Sequence, residues 1–154
     1  MVEMRLQNVI IITPTATANQ LKKIFPDEFP WQVSLKSLGS HICGGSIVNR
    51  NQVITAAHCC EGQVALFDKI IAGAHDRNLE PGHQSRGISS MEFHESWNDP
   101  AFDHDICLVT VNEPFDFKDP NVQPIDFFKT ADAEIPPETI CNSTGWGLTT
   151  GAGR

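Results

Sequence analysis

A histidine between small residues and a pair of cysteines is the first candidate for chemistry in this chain. His58 lies in the segment Thr-Ala-Ala-His-Cys-Cys, residues 55–60. An imidazole accepts and releases protons near neutral pH, so this residue could act as a general base or acid. The same ring could equally be packed into a core without any chemical role. The residue type alone leaves both interpretations open.

An acidic cluster directly precedes an apolar run later in the chain. Asp103, His104 and Asp105 stand before the segment Ile-Cys-Leu-Val-Thr-Val, residues 106–111. An unpaired carboxylate at the mouth of such a run carries a large desolvation cost and therefore needs a partner. Strand alternation places Asp103 and Asp105 on one side and His104 on the other. On this reasoning both aspartates are candidates.

The five cysteines could form disulfides, bind a metal or supply a nucleophile. The sequence contains no Cys-x-x-Cys pair and no Cys/His spacing of the zinc-finger kind, which weakens the metal interpretation. Disulfides are therefore favoured, and they imply an oxidising compartment.

Composition and charge exclude several function classes. A chain of 154 residues with 40% apolar content is long enough for one or two domains. The net charge is -8 and the eleven Lys and Arg residues are scattered, so nucleic acid is not expected as a partner. No run of eighteen apolar residues occurs, and we therefore expect no helix that spans a membrane.

The elements that must position these residues are predicted to be short β-strands. Period-two patterns bounded by Gly, Pro, Asn or Asp predict six strands, in residues 31–38, 41–49, 52–58, 68–76, 86–95 and 105–114. This spacing is typical of an all-β barrel or sandwich. Residues 116–138, rich in Pro and Asp, predict an extended connector, and residues 1–28 predict a disordered leader with only a poor likeness to a signal peptide.

Four short motifs follow one another along the chain: Cys-Gly-Gly-Ser-Ile-Val, Thr-Ala-Ala-His-Cys, Asp-Ile-Cys-Leu-Val and Gly-Trp-Gly. Together they resemble the trypsin-like (chymotrypsin-fold) serine endopeptidases over residues 29–147, and the doubled cysteine is similar to a form found among invertebrate digestive trypsins. The resemblance implies an all-β fold in which residues 29–154 are part of the peptidase domain. Residues 29–115 would form the first six-stranded antiparallel β-barrel, 116–138 the connector and 139–154 the start of the second barrel.

The resemblance also assigns roles to two candidates. His58 matches the family's general base, which takes the proton of the attacking serine. Asp105 matches the buried aspartate that holds the imidazole in one tautomer and stabilises its positive charge. The resemblance selects Asp105 over Asp103 because the family's aspartate directly precedes the apolar strand. His41, by the same comparison, has a packing use.

The cysteines are assigned in the same way. By resemblance Cys43 pairs with Cys59. We further predict a bond between Cys60 and Cys107, with two buried free thiols as the alternative. Cys141 is then unpaired, because its partner in the family lies in a region absent from these residues.

Several family features are missing from these residues. The Gly-Asp-Ser-Gly-Gly motif that carries the family's nucleophile does not occur, nor does the Ile-Val-Gly-Gly start of the mature chain. In the loop where some members bind calcium through glutamates, this chain has Ala74, Pro81 and Gln84. We therefore predict no metal and no cofactor.

The sequence as a whole predicts the amino-terminal part of a secreted, extracellular serine endopeptidase that is inactive alone because it lacks the nucleophilic serine. Its partners would be protein or peptide substrates and protease inhibitors. One alternative is a non-catalytic, protease-like module that binds as a decoy. Another is a small extracellular metal-binding module built on His58, His104 and the cysteines.

Overall fold

Alternating apolar residues produce six strands that close into a barrel. The computed structural model describes residues 10–11, 28–63, 65, 68–75, 84–98, 101, 103–126 and 142–146. The strands are β1 (Ile10–Ile11), β2 (Gln32–Ser37), β3 (Ser40–Ile47), β4 (Gln52–Thr55), β5 (Asp68–Ala72), β6 (Gln84–Phe93), β7 (Cys107–Val111) and β8 (Asn142–Ser143). Strands β2 to β7 close in the order β2-β3-β4-β7-β6-β5, with every pair antiparallel. The predicted six-stranded antiparallel β-barrel is confirmed.

The interior of the barrel is filled by every second residue of its strands. Val33 and Leu35 in β2 are at most 1% exposed, and Val53 in β4 and Val109 in β7 are fully buried. This is the spacing expected when successive side chains point to opposite faces of a sheet. Because a closed barrel has no open edge, the ends of its strands are fixed relative to one another. The barrel is therefore a rigid support for the residues that follow β4 and precede β7.

The strand predicted over residues 52–58 is shorter than expected. β4 ends at Thr55, and the next residues form a single helical turn, α1 (Ala57–Cys60). The Thr55 hydroxyl donates a hydrogen bond to the Gly44 carbonyl oxygen at 2.8 Å, which ties the end of β4 to β3. His58 therefore lies on a helical turn at one end of the barrel and not in a strand.

Gly45 lies where β3 approaches its neighbours too closely for a side chain. A Cβ atom at this position would come 2.9 Å from a methyl carbon of Val53 and 3.0 Å from the carbonyl oxygen of Ile54. Gly45→Ala is therefore expected to lower the free energy of unfolding by about 1–3 kcal/mol, measured by urea unfolding. Ser89→Ala, at an exposed position in β6, is the control and should change it by less than about 0.5 kcal/mol. Equal changes in the free energy of unfolding for Gly45→Ala and Ser89→Ala would contradict the close packing at Gly45.

The chain after β7 returns along the barrel wall. Phe115 is 1% exposed and Val122 is fully buried. The backbone N–H of Ile125 donates to the carbonyl oxygen of Ile47 at 2.8 Å. The first part of the predicted connector is thus packed against the barrel, whereas residues 127–141, including Cys141, lie outside the described residues.

Strands β1 and β8 form a separate two-stranded antiparallel ladder. Two residues of the predicted leader are thus in a strand, where an unstructured segment was expected. The rest of the leader, except Glu28, lies outside the described residues. In the part of the chain that the structure describes, no helix is both long and apolar enough to cross a membrane.

Candidate active site

The side chains of His58 and Asp105 meet although 47 residues separate them in sequence. Nδ1 of His58 lies 2.6 Å from Oδ2 of Asp105, and the backbone N–H of His58 donates to Oδ1 at 2.9 Å. An ionised carboxylate only accepts hydrogen bonds, so Nδ1 carries the ring proton. Nε2 is then left with a free lone pair. The carboxylate therefore holds the imidazole in the tautomer that can accept a proton at Nε2.

The two members of this pair differ in exposure. The His58 side chain is 34% exposed and the Asp105 side chain 16%. A hydrogen bond to a charged group is stronger where water is partly excluded. The carboxylate is thus enclosed behind the ring, while the ring itself is open to a second reactant.

Asp105 is presented by a tight turn just before β7. The backbone N–H of Ile106 donates to the carbonyl oxygen of His104 at 2.7 Å, so Asp105 is the central residue of a γ-turn. His104 has a φ of 54°, in the left-handed region that few residues other than glycine adopt. The prediction that residues 103–105 alternate as a strand is therefore wrong. The chain is turned here, and β7 begins only at Cys107.

Asp103, the other candidate aspartate, contacts His104 instead of His58. Oδ1 of Asp103 accepts a hydrogen bond from the backbone N–H of His104 at 2.8 Å. Its side chain is 55% exposed, and Oδ2 lies 3.5 Å from Nδ1 of His104. Strand alternation left both aspartates as candidates for the partner of His58. In the part of the chain that the structure describes, Asp105 is the one that contacts His58.

Two disulfides anchor the helical turn that carries His58. Cys43–Cys59 joins α1 to β3, and Cys60–Cys107 joins α1 to the first residue of β7. Both predicted pairings are confirmed, and the alternative of free thiols at positions 60 and 107 is wrong. Each cysteine of these pairs is buried.

The disulfides also bear on the metal-binding alternative. A nitrogen of His58 and the sulfurs of Cys43 and Cys59 lie within 4.8 Å of one another. Metal binding by cysteine requires the free thiolate, whereas these two sulfurs are bonded to each other. The group therefore lacks the ligands that this alternative needs.

Two further histidines, His94 and His104, contact each other ahead of Asp105 in the chain. The rings of His94 and His104 stack with centroids 4.5 Å apart and an interplanar angle of 16°. The backbone N–H of Ser96 donates to Nδ1 of His94 at 3.1 Å. The stack brings His94, which directly follows β6, next to His104, which directly precedes Asp105.

Trp146 of the Gly-Trp-Gly motif lies against the barrel near His41. The Trp146 ring meets the His41 ring edge to face, with centroids 5.7 Å apart, and Nδ1 of His41 is 2.8 Å from the Ser34 hydroxyl. The Thr144 hydroxyl donates to Oε1 of the buried Gln32 at 2.7 Å. The predicted packing use of His41 is confirmed, and these contacts dock the segment after the connector onto β2.

Comparison with known proteins agrees with this architecture. The family model described as Trypsin matches residues 19–154, most of the chain. The chain belongs to the trypsin family. The predicted family membership is thereby confirmed, while the narrower likeness to invertebrate digestive trypsins stays a prediction.

Individual members of the trypsin family match over most of this chain. Hypodermin-A of Hypoderma lineatum is 36% identical over 124 residues, which are 80% of this chain and 46% of hypodermin-A. Ovochymase-2 of Mus musculus is 36% identical over 129 residues, 82% of this chain and 21% of ovochymase-2. The solved structure of neuropsin, a serine protease expressed in the limbic system of mouse brain, matches with a TM-score of 0.58 at 26% identity, covering 67% of this chain and 45% of neuropsin. The chain thus spans less than half the length of each of these proteins.

Proposed function

We propose that this chain supplies the general base and its orienting carboxylate to a serine endopeptidase, which hydrolyses peptide bonds in protein or peptide substrates. The observation that carries the proposal is the 2.6 Å contact between Nδ1 of His58 and Oδ2 of Asp105 in a trypsin-family chain. A serine hydroxyl is a poor nucleophile until a neighbouring base takes its proton. An imidazole in a fixed tautomer, with an exposed face, is suited to that task.

In this proposal His58 acts first as general base and then as general acid. Nε2 takes the proton of the serine hydroxyl as the oxygen attacks the peptide carbonyl carbon. The imidazolium that forms is stabilised by Asp105, which also accepts a hydrogen bond from the His58 backbone. Nε2 then gives the proton to the leaving amine nitrogen, so that the peptide C–N bond breaks and an acyl-enzyme remains.

The attacking serine is proposed to come from outside these 154 residues. They contain no Gly-Asp-Ser-Gly-Gly motif. The backbone N–H donors of an oxyanion hole, each typically worth about 3 kcal/mol in the transition state, would come with that motif. These 154 residues are therefore proposed to be inactive by themselves.

The proposed location is extracellular. Two buried disulfides link α1 to different strands, and such bonds form and persist in oxidising compartments. Proteins or peptides that reach the exposed ring of His58 are the proposed substrates. Protease inhibitors that cover the same ring are the proposed regulatory partners.

The purified 154-residue chain is expected to show no labelling by a serine-directed phosphonylating reagent. The reagent reports a serine that is activated by a base and flanked by oxyanion donors, and the Gly-Asp-Ser-Gly-Gly motif that carries the serine and the donors is absent from these residues. Intact-protein mass spectrometry after incubation measures the adduct. A stoichiometric adduct would show that a nucleophile is present after all.

A hybrid chain tests the catalytic role itself. Residues 19–154 would be joined to the carboxyl-terminal half of a trypsin-family peptidase that contains the serine. We expect the hybrid to hydrolyse a peptide amide substrate, because Nε2 of His58 then faces a nucleophile. A folded hybrid without activity, secreted as stably as an active one, would instead favour the decoy module.

A further inference from the structure

The second disulfide has a regular relation to the two proposed catalytic residues. Cys60 follows His58 by two positions, and Cys107 follows Asp105 by two positions. The bond between the two sulfurs therefore closes a short covalent path from the base to its orienting carboxylate. The opposite side of this small ring is formed by the hydrogen bonds between His58 and Asp105.

Neither of the two residues lies in a long helix or in a strand of the barrel. His58 belongs to a single helical turn of four residues, and Ala56 before it provides no side-chain cap. One turn is too short to be stable on its own, because nucleating a helix costs more than its first hydrogen bonds return. Asp105 lies in a γ-turn outside β7, next to a residue with positive φ. The relative position of the two side chains therefore depends on the links between these segments.

Cys107 provides a fixed point for such a link. It is fully buried, and β7 is paired on both sides, so that Cys107 lies opposite Thr55 of β4 and Phe93 of β6. The other disulfide does not provide the same link. Cys43–Cys59 ties α1 to β3 and leaves the segment of Asp105 untouched.

We propose that the Cys60–Cys107 disulfide is a positioning element of the site, which holds His58 and Asp105 at hydrogen-bonding distance. The inference deepens the proposed function and rests on its assignment of these two residues. Cys60 and Cys107 act through their neighbours and do not touch substrate. The disulfide sets the separation of two short, weakly supported segments, and the carboxylate then fixes the ring tautomer.

The test is proton NMR of the 154-residue chain with ¹⁵N-labelled histidine. The ring Nδ1–H of His58 should give a far-downfield resonance, assigned by its loss in His58→Gln. In the double variant Cys60→Val/Cys107→Ala, we expect this proton to exchange with water at least tenfold faster, or its resonance to disappear. The matched control Cys43→Ala/Cys59→Val should retain the resonance. An unchanged resonance and exchange rate in Cys60→Val/Cys107→Ala would overturn the proposal, as would equal loss in the control.

A further variant keeps the test decisive if the double variant does not fold. One glycine inserted between Asp105 and Ile106 leaves the cysteines of both disulfides in place and lengthens the covalent path from His58 to Asp105 by about 3.3 Å. The resonance should be lost in this chain too, and its retention would overturn the proposal. The resonance reports the His58–Asp105 pair without any substrate, so the two proposals can fail separately. If the resonance is lost in Cys60→Val/Cys107→Ala but the hybrid peptidase is inactive, the proposed function is refuted and the positioning role of the disulfide stands.

Discussion

Asp105→Asn in the hybrid peptidase is expected to lower kcat by about 10⁴ with little change in KM, the size known for this exchange in the Ser-His-Asp template. The substitution replaces one carboxylate oxygen by an NH2 group, which only donates hydrogen bonds. The remaining oxygen is needed to accept from the backbone N–H of His58, so the NH2 group faces Nδ1 and cannot accept a hydrogen bond from a protonated Nδ1. The imidazole then adopts the other tautomer, in which Nε2 carries the proton and cannot act as the base. Steady-state kinetics with a peptide amide substrate measures the effect.

Asp103→Asn is the matched control for this prediction. Asp103 is two positions away, carries the same charge, and contacts the backbone and ring of His104. Its replacement should leave kcat within about twofold of the parent, because a substitution outside the machinery leaves transition-state binding unchanged. Similar losses in the two variants would mean that general negative charge near His58 matters, and not the hydrogen bond of Asp105.

The barrel was predictable because its strands depend on local patterns. Val33 and Leu35 alternate with polar residues, and this period of two is the same pattern that fills the barrel interior. A carboxylate before the apolar run needs a partner, and this argument left Asp103 and Asp105 as candidates. The family resemblance selected Asp105. That partner, His58, was indicated only by the family motifs, because no spacing rule connects residues 47 positions apart.

The local conformation around the site was less predictable. His104 adopts a positive φ and Asp105 is the central residue of a γ-turn, so residues 103–105 do not form the strand that alternation assumed. Positive φ is uncommon at residues other than glycine, and the period-two pattern used to predict the strands does not reveal it. The stacking of His94 on His104 also joins residues that no spacing rule connects. The helical turn after Thr55 likewise interrupts a segment whose composition also suits a strand.

Removing the Cys60–Cys107 disulfide is expected to cost more stability than removing Cys43–Cys59. The first spans 47 residues of sequence and the second 16. In the chain-entropy model, the longer loop contributes about 4 kcal/mol to the free energy of unfolding and the shorter about 3 kcal/mol. Guanidinium unfolding of the non-reduced variants Cys60→Val/Cys107→Ala and Cys43→Ala/Cys59→Val measures both values.

The prediction is wrong if Cys43→Ala/Cys59→Val loses more free energy of unfolding than Cys60→Val/Cys107→Ala while the two variants have equal m-values. That result would mean that native packing around α1 matters more than loop length. The two expected costs differ by only about 1 kcal/mol, because loop-closure entropy grows slowly with loop length. The variants are therefore destabilised to similar extents, although one disulfide leads to the segment of Asp105 and the other to β3. Because the two variants lose nearly the same stability, a loss of the His58 ring-proton resonance in Cys60→Val/Cys107→Ala alone cannot be caused by general destabilisation. It would follow from the attachment of this disulfide next to Asp105.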